Sequence, residues 1–169
     1  MMKKAAVILG AVFAATVGCA SVSSAAQPTA APTHLVIWMV NSDGLSEHVI
    51  LTGAVGDYGA GQSTPDRSQT LLTLSRGTFK VSTARIDSDF VHHDTHWPYD
   101  AATCSIHGSL TDPVPIVPGS GTGAYRGISG TFTMTITLDE DWQRKAGCNE
   151  TTPFQAQLIT IEGTGAINP

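Results

Sequence analysis

PGSGTGAYRGISGTFTMTITL (residues 118–138) is the stretch that decides the fold. Its first half holds glycines at 119, 121, 123, 127 and 130. Its second half alternates strictly, with Phe132, Met134, Ile136 and Leu138 on one side and Thr131, Thr133, Thr135 and Thr137 on the other. A period of two carried by β-branched residues is a strand with one apolar and one hydroxyl face. The glycines mark backbone that takes positive φ or lies close against a neighbouring strand. The stretch therefore predicts a sharply turned loop feeding a long amphipathic strand in an all-β protein.

The rest of the chain reads the same way. The apolar run HLVIWMV (34–40) predicts a buried strand, and 47–55 a second, ending at Gly56 and Asp57. Segments 69–75 and 78–86 flank Arg76-Gly77 and predict a hairpin. Segments 101–110 and 154–161 are further strands. Segment 111–118 carries prolines at 113, 115 and 118. Proline cannot donate to a ladder, so this piece is expected at an edge or in a crossing. Segments 58–67, 87–100 and 139–152 read as loops. No amphipathic helix stands out. A closed antiparallel β-barrel of about eight strands is the expected fold, because closure removes exposed strand edges. A β-sandwich is the alternative. A barrel of about that size leaves an interior for side chains or one small ligand.

Gly-Ser-Gly-Thr-Gly-Ala-Tyr-Arg-Gly-Ile-Ser-Gly (119–130) resembles the glycine-rich signature shared by plant dirigent proteins and allene oxide cyclases. The segment Ile-Leu-Thr-Gly-Ala-Val-Gly-Asp (50–57) is similar to that superfamily's early apolar strand ending in Gly-Asp. The resemblance implies an eight-stranded antiparallel barrel. It also implies a lumen that holds a reactive apolar molecule in one conformation, so that one cyclisation or isomerisation wins without a cofactor. The plant enzymes' catalytic acidic and polar residues have no position-by-position match here.

The N-terminus reads as an export signal over 1–26. Lys3 and Lys4 precede the apolar run 5–17, and Ser24-Ala25-Ala26 offers a cleavage site. The run is shorter than the roughly 20 apolar residues of a membrane span. Thr16-Val17-Gly18-Cys19 resembles a bacterial lipobox, so lipid anchoring at Cys19 is the alternative to a secreted chain. Residues 27–32 are an Ala/Pro-rich leader, and 33–169 form the barrel domain. Loss of Lys3 and Lys4 moves the formal charge from −5 to −7. That acidic balance argues against a nucleic-acid or anionic-membrane partner. Two cysteines then remain, Cys104 and Cys148, and an even pair in an exported chain predicts a disulfide.

The chemistry-bearing residues are few. His92-His93-Asp94-Thr95-His96, with His107 and Cys104 nearby, has ligand types for zinc or copper. Consecutive histidines on an extended chain point opposite ways, so this reads as a solvated loop and no metal site is assigned. No Gly-x-Ser-x-Gly elbow occurs. The glycine segment lacks the Lys-Ser/Thr and the helix of a phosphate loop. Arg85 follows Phe79, Val81 and Thr83 in period two and is expected on their face, with Asp57 as its candidate carboxylate if that face is interior. Asp57 and Arg85 are the candidate catalytic pair, and Trp38, Tyr58 and Tyr125 the candidate ligand-binding residues. The expected partner is an apolar small molecule, with no cofactor; a homo-oligomer stays open. A non-catalytic exported binding or cell-surface protein is the alternative.

Overall fold

The computed structural model of the chain describes residues 30–40, 47–94, 97, 99–144, 148 and 154–169. The segment read as an export signal, Cys19 and half of the expected leader (27–29) lie outside the described residues. The elements run β1 (Ala31–Val40), β2 (Glu47–Gly53), β3 (Asp57–Ser63), β4 (Gln69–Leu74), β5 (Gly77–Ser82), α1 (Ala84–Asp94), β6 (Tyr99–Asp100), β7 (Ser105–Pro115), β8 (Ser129–Trp142) and β9 (Phe154–Asn168), with a 3-10 turn at Gly123–Tyr125 before β8. Among the described residues no helix is long and apolar enough to cross a membrane.

All strands join one antiparallel sheet in the order β5-β4-β3-β2-β1-β9-β8-β7-β6. Two meanders, β1 to β5 and β6 to β9, are joined where β1 pairs along its whole length with β9, from Ala31 against Ile167 to Val40 against Leu158. The alternation read from 131–138 holds in space. Phe132, Met134, Ile136 and Leu138 are buried on the concave face. Thr133 and Thr131 lie exposed on the convex one, and Thr135 shares its hydroxyl with Thr111 of β7 at 2.8 Å.

The sheet curls through 206° and does not close, which corrects the closed-barrel expectation to a half-barrel. The prolines supply the physical reason. On β7 the even-numbered N–H groups face β8; Ile116 N donates to Gly130 O at 3.0 Å. The odd-numbered groups face the open edge, where Val117 N donates to Lys80 O of β5 at 2.9 Å. Pro115 and Pro113 sit two and four residues back on that edge and have no N–H. The β5–β7 ladder is thereby reduced to one bridge, Val81 to Ile116. Beyond it the glycine segment runs along β5: Thr122 N donates to Thr78 O at 2.8 Å and Ala124 N to Arg76 O at 3.0 Å. Gly77 and Gly123 pack backbone to backbone there, both at positive φ, and a Cβ on either would strike the other's chain. The glycine-rich loop thus stitches one end of an unclosed barrel.

Two segments expected as irregular are regular. β3, from Asp57 to Ser63, takes up more than half of the expected loop 58–67; Gly59 and Gly61 removed the side-chain alternation that would have marked it, and a Cβ at Gly59 would strike the backbone of β4. The expected loop 87–100 begins with α1, which also takes Arg85 out of the expected strand 78–86. Only Ile86 and Phe90, four residues apart, turn a hydrophobic stripe inward from this helix. The helix crosses the open side of the sheet between β5 and the β6–β7 hairpin. β7 begins at Ser105, and β8 runs on to Trp142.

Cys104 and Cys148 are disulfide-bonded, with Cα atoms 5.2 Å apart. The bridge joins a small cluster of Ile106, Leu138 and Trp142, against which Phe90 and Trp97 pack.

Candidate functional site

The concave face of the sheet is apolar along most of its length. Near the open edge, α1 roofs it without filling it. Between them lies a cavity of about 200 Å³. Its apolar wall comes from Ile37 and Met39 of β1, Val81 of β5, Met134 and Ile136 of β8 and Ile161 of β9. Ile86 and Phe90 of α1 form the roof. Its polar wall is Glu47 and Thr70 within, and the more exposed Ser63, Arg67 and Asp87 towards the mouth.

Glu47 shares strand parity with Val49 and Leu51, so β2 turns its carboxylate inward with them. The residue is 6% exposed. Its Oε1 accepts a hydrogen bond from Ser63 Oγ at 3.3 Å, and Ser63 Oγ shares a hydrogen with Thr70 Oγ1 at 3.1 Å. Gly61 stands opposite Glu47 in the β2–β3 register, and a Cβ there would collide with the carboxylate. Burial pushes the Glu47 carboxyl above the usual range, and the Ser63 hydroxyl only partly offsets it. Arg67 Nη1 lies 3.8 Å from Asp87 Oδ1 at the mouth, with 62% of the Arg67 side chain in solvent. Asp87 is also raised by burial, and the Arg67 charge opposes this.

Asp57 lies at the other end. It opens β3 and Ser63 closes it, six residues along, so Asp57 stands roughly 20 Å from the polar wall of the cavity. Its carboxylate is a saturated acceptor. Oδ1 accepts from Ser75 Oγ at 2.5 Å and Tyr58 N at 2.8 Å. Oδ2 accepts from the Tyr125 hydroxyl, from Arg76 N at 3.2 Å and from Arg76 Nε at 3.4 Å. Burial raises the Asp57 carboxyl, but the Ser75 and Tyr125 hydroxyls and the two backbone N–H groups outweigh it and hold the group well below the usual range. Tyr125 is pushed up to about 12 by burial and by the Asp57 carboxylate it donates to. Its ring is buried edge-on against Phe79, 5.4 Å between centroids. This cluster pins the glycine-rich loop to the β3 and β4 ends of the sheet.

Of the residues singled out in the sequence, the structure brings Asp57 and Tyr125 together, outside the cavity. Arg85 does not meet Asp57; from α1 its Nε reaches Asp112 of β7 at 3.0 Å and Asp89 at 3.7 Å. Trp38 faces the convex side and stacks on His48, 5.2 Å between ring centroids. Tyr58 is 68% exposed on that side. His92 to Asp94 end α1, while Thr95 and His96 lie outside the described residues, among which no cluster of three or more metal-ligand types occurs. Sequence reasoning missed Glu47, although its parity with Val49 and Leu51 placed a carboxylate on an apolar face. It also missed Arg76, Arg67 and Asp87, whose partners come from distant segments.

A larger depression, about 580 Å³, lies on the surface beside β7, β8 and β9, where His107 Nδ1 meets Asp139 Oδ1 at 2.6 Å. It is shallow and open to solvent, whereas the smaller cavity is walled on the core side. No protein family, characterised protein or solved structure matches the chain.

Proposed function

We propose that this half-barrel is an exported binding protein for a small, largely apolar molecule held between the concave face and α1. The observation that carries the reading is the 200 Å³ cavity, walled by aliphatic side chains and one buried carboxylate. An engineered apolar cavity of about 150 Å³ holds benzene. A one-ring compound with a short polar substituent therefore matches this one. The disulfide and the signal-like N-terminus support a site of action outside the cytoplasm. The resemblance to dirigent proteins and allene oxide cyclases supports a ligand-holding role for the concave face. If the bound molecule is also cyclised or isomerised, the group that touches it is Glu47; Asp57 is saturated by its own donors and Arg85 is paired with Asp112.

The test is a two-dimensional amide NMR titration with toluene, with native mass spectrometry of protein purified from its own host. Saturable shifts at Ile37, Val81 and Phe90 are expected, and Met39→Trp, which fills the cavity from its partly exposed side, should abolish them. Absence of saturable shifts in the wild type, with no co-purifying molecule, would overturn the reading.

A further inference from the structure

Within the cavity the charged groups do not balance. Glu47 and Asp87 are carboxylates, and Arg67 is the cation lining the space with them. Arg67 stands by Asp87 at the mouth, most of its side chain in water. Among the described residues Glu47 has no cation within ion-pair distance; its hydrogen-bond donor is the Ser63 hydroxyl at a long 3.3 Å. A buried carboxylate held by one weak hydrogen bond costs stability. The fold nevertheless makes room for it: β2 turns it inward, and Gly61 leaves the space its oxygens occupy. An aliphatic side chain there would complete the wall begun by Ile37 and Met39. The carboxylate is the feature a ligand would have to match.

We propose that the cavity selects a compact hydrophobic amine, its ammonium seated on the Glu47 carboxylate and its apolar body against Ile37, Val81, Met134 and Ile136. The inference rests on the ligand-binding reading above and specifies its chemistry. An ionised carboxylate is an acceptor only, so the ligand must donate. An ammonium donates and also restores the charge balance of the lining, from one net negative to neutral. An alcohol donates but leaves the charge desolvated. A carboxylic acid brings a third negative charge into a space that already holds two carboxylates. Ser63 and Thr70, which share a hydrogen with each other, can turn their oxygens towards the remaining ammonium protons.

Three probes of one size decide it: benzylamine, benzyl alcohol and benzoate, titrated at pH 7 into the disulfide-bonded protein and followed by amide NMR and calorimetry. Benzylamine is expected to bind about tenfold or more tightly than benzyl alcohol, the advantage of a charge-assisted contact, with benzoate weakest. Glu47→Gln should remove the amine's advantage and leave benzyl alcohol within about threefold of its wild-type affinity. Should that variant not fold, the side-chain carboxyl carbon resonance of Glu47 in the wild type still decides; benzylamine must shift it more than the alcohol does. Benzyl alcohol or benzoate binding as tightly as the amine, or an amine advantage that survives Glu47→Gln, overturns the proposal and leaves the ligand-binding reading standing. If none of the probes moves a cavity resonance, both fall.

Discussion

Asp57→Asn changes one atom in a group to which five hydrogen bonds converge, and the geometry of those bonds sets its cost. Two of the donors are backbone N–H groups that cannot rotate, Tyr58 N on the Oδ1 side and Arg76 N on the Oδ2 side. Whichever way the new amide is turned, its NH2 faces one of them. That donor is left unpaired beside a side chain only 2% exposed, a loss of about 1–3 kcal/mol. The bonds that survive pass from a charged to a neutral acceptor, which roughly halves them. Together these predict a loss of about 3–5 kcal/mol and, for a chain of this length, a fall in Tm on the order of 10 °C. A pH signature accompanies it. The Asp57 carboxyl sits below its ordinary value of 3.8 in the folded state, so its contribution is present above that value and is lost as pH falls through the folded one. Wild-type stability should decline on acidification below about pH 4 with a slope of up to about 1.4 kcal/mol per pH unit from this group, and Asp57→Asn should lack that component. Urea unfolding at pH 7 and at several acidic pH values measures both. A variant within about 1 kcal/mol of wild type, with an unchanged acid slope, would refute the role of Asp57 as the pin of the glycine-rich loop.

Glu47→Gln should behave in the opposite way. Burial raises the Glu47 carboxyl, so its favourable contribution is present below the unfolded value and lost as pH rises through the folded one; the ligand-free variant is expected to be about 1 kcal/mol more stable than wild type at pH 7 by urea unfolding, and a loss of stability would count against an unbalanced carboxylate. Reduction of Cys104–Cys148 opens a loop of 44 residues and should cost on the order of 4 kcal/mol in the chain-entropy model, read as a lower Tm in the presence of a phosphine reductant. Arg85→Ala leaves the buried Asp112 without the guanidinium at 3.0 Å; because the Arg85 side chain is 69% exposed, the global loss should be only about 1 kcal/mol. Hydrogen exchange should quicken selectively in α1, and uniform quickening across the sheet would argue against the Arg85–Asp112 pair tying α1 to β7.

The all-β class, the buried face of β8 and the disulfide pair are legible without the structure. Each is carried by a simple pattern: strict alternation at 131–138 marks which side is buried, and Cys104 and Cys148 are the two cysteines beyond the segment that reads as an export signal. The sequence also singled out Asp57 and Tyr125, but not what joins them, since a hydrogen bond across 68 residues has no local signature. Closure was a tertiary matter. The prolines at 113 and 115 were legible as an edge, but that their missing N–H groups face β5 follows from the β7–β8 register, which assigns odd and even positions to opposite sides. α1 escaped a pattern reading because one Ile86–Phe90 step is too short a period to detect, and its helix forms where it can bury those two side chains over the open face. The cavity is likewise a property of the assembled sheet. Glu47, Ser63 and Thr70 meet through the β2–β3 and β3–β4 pairings, and α1, folded over the open face, adds Asp87 to the same cavity.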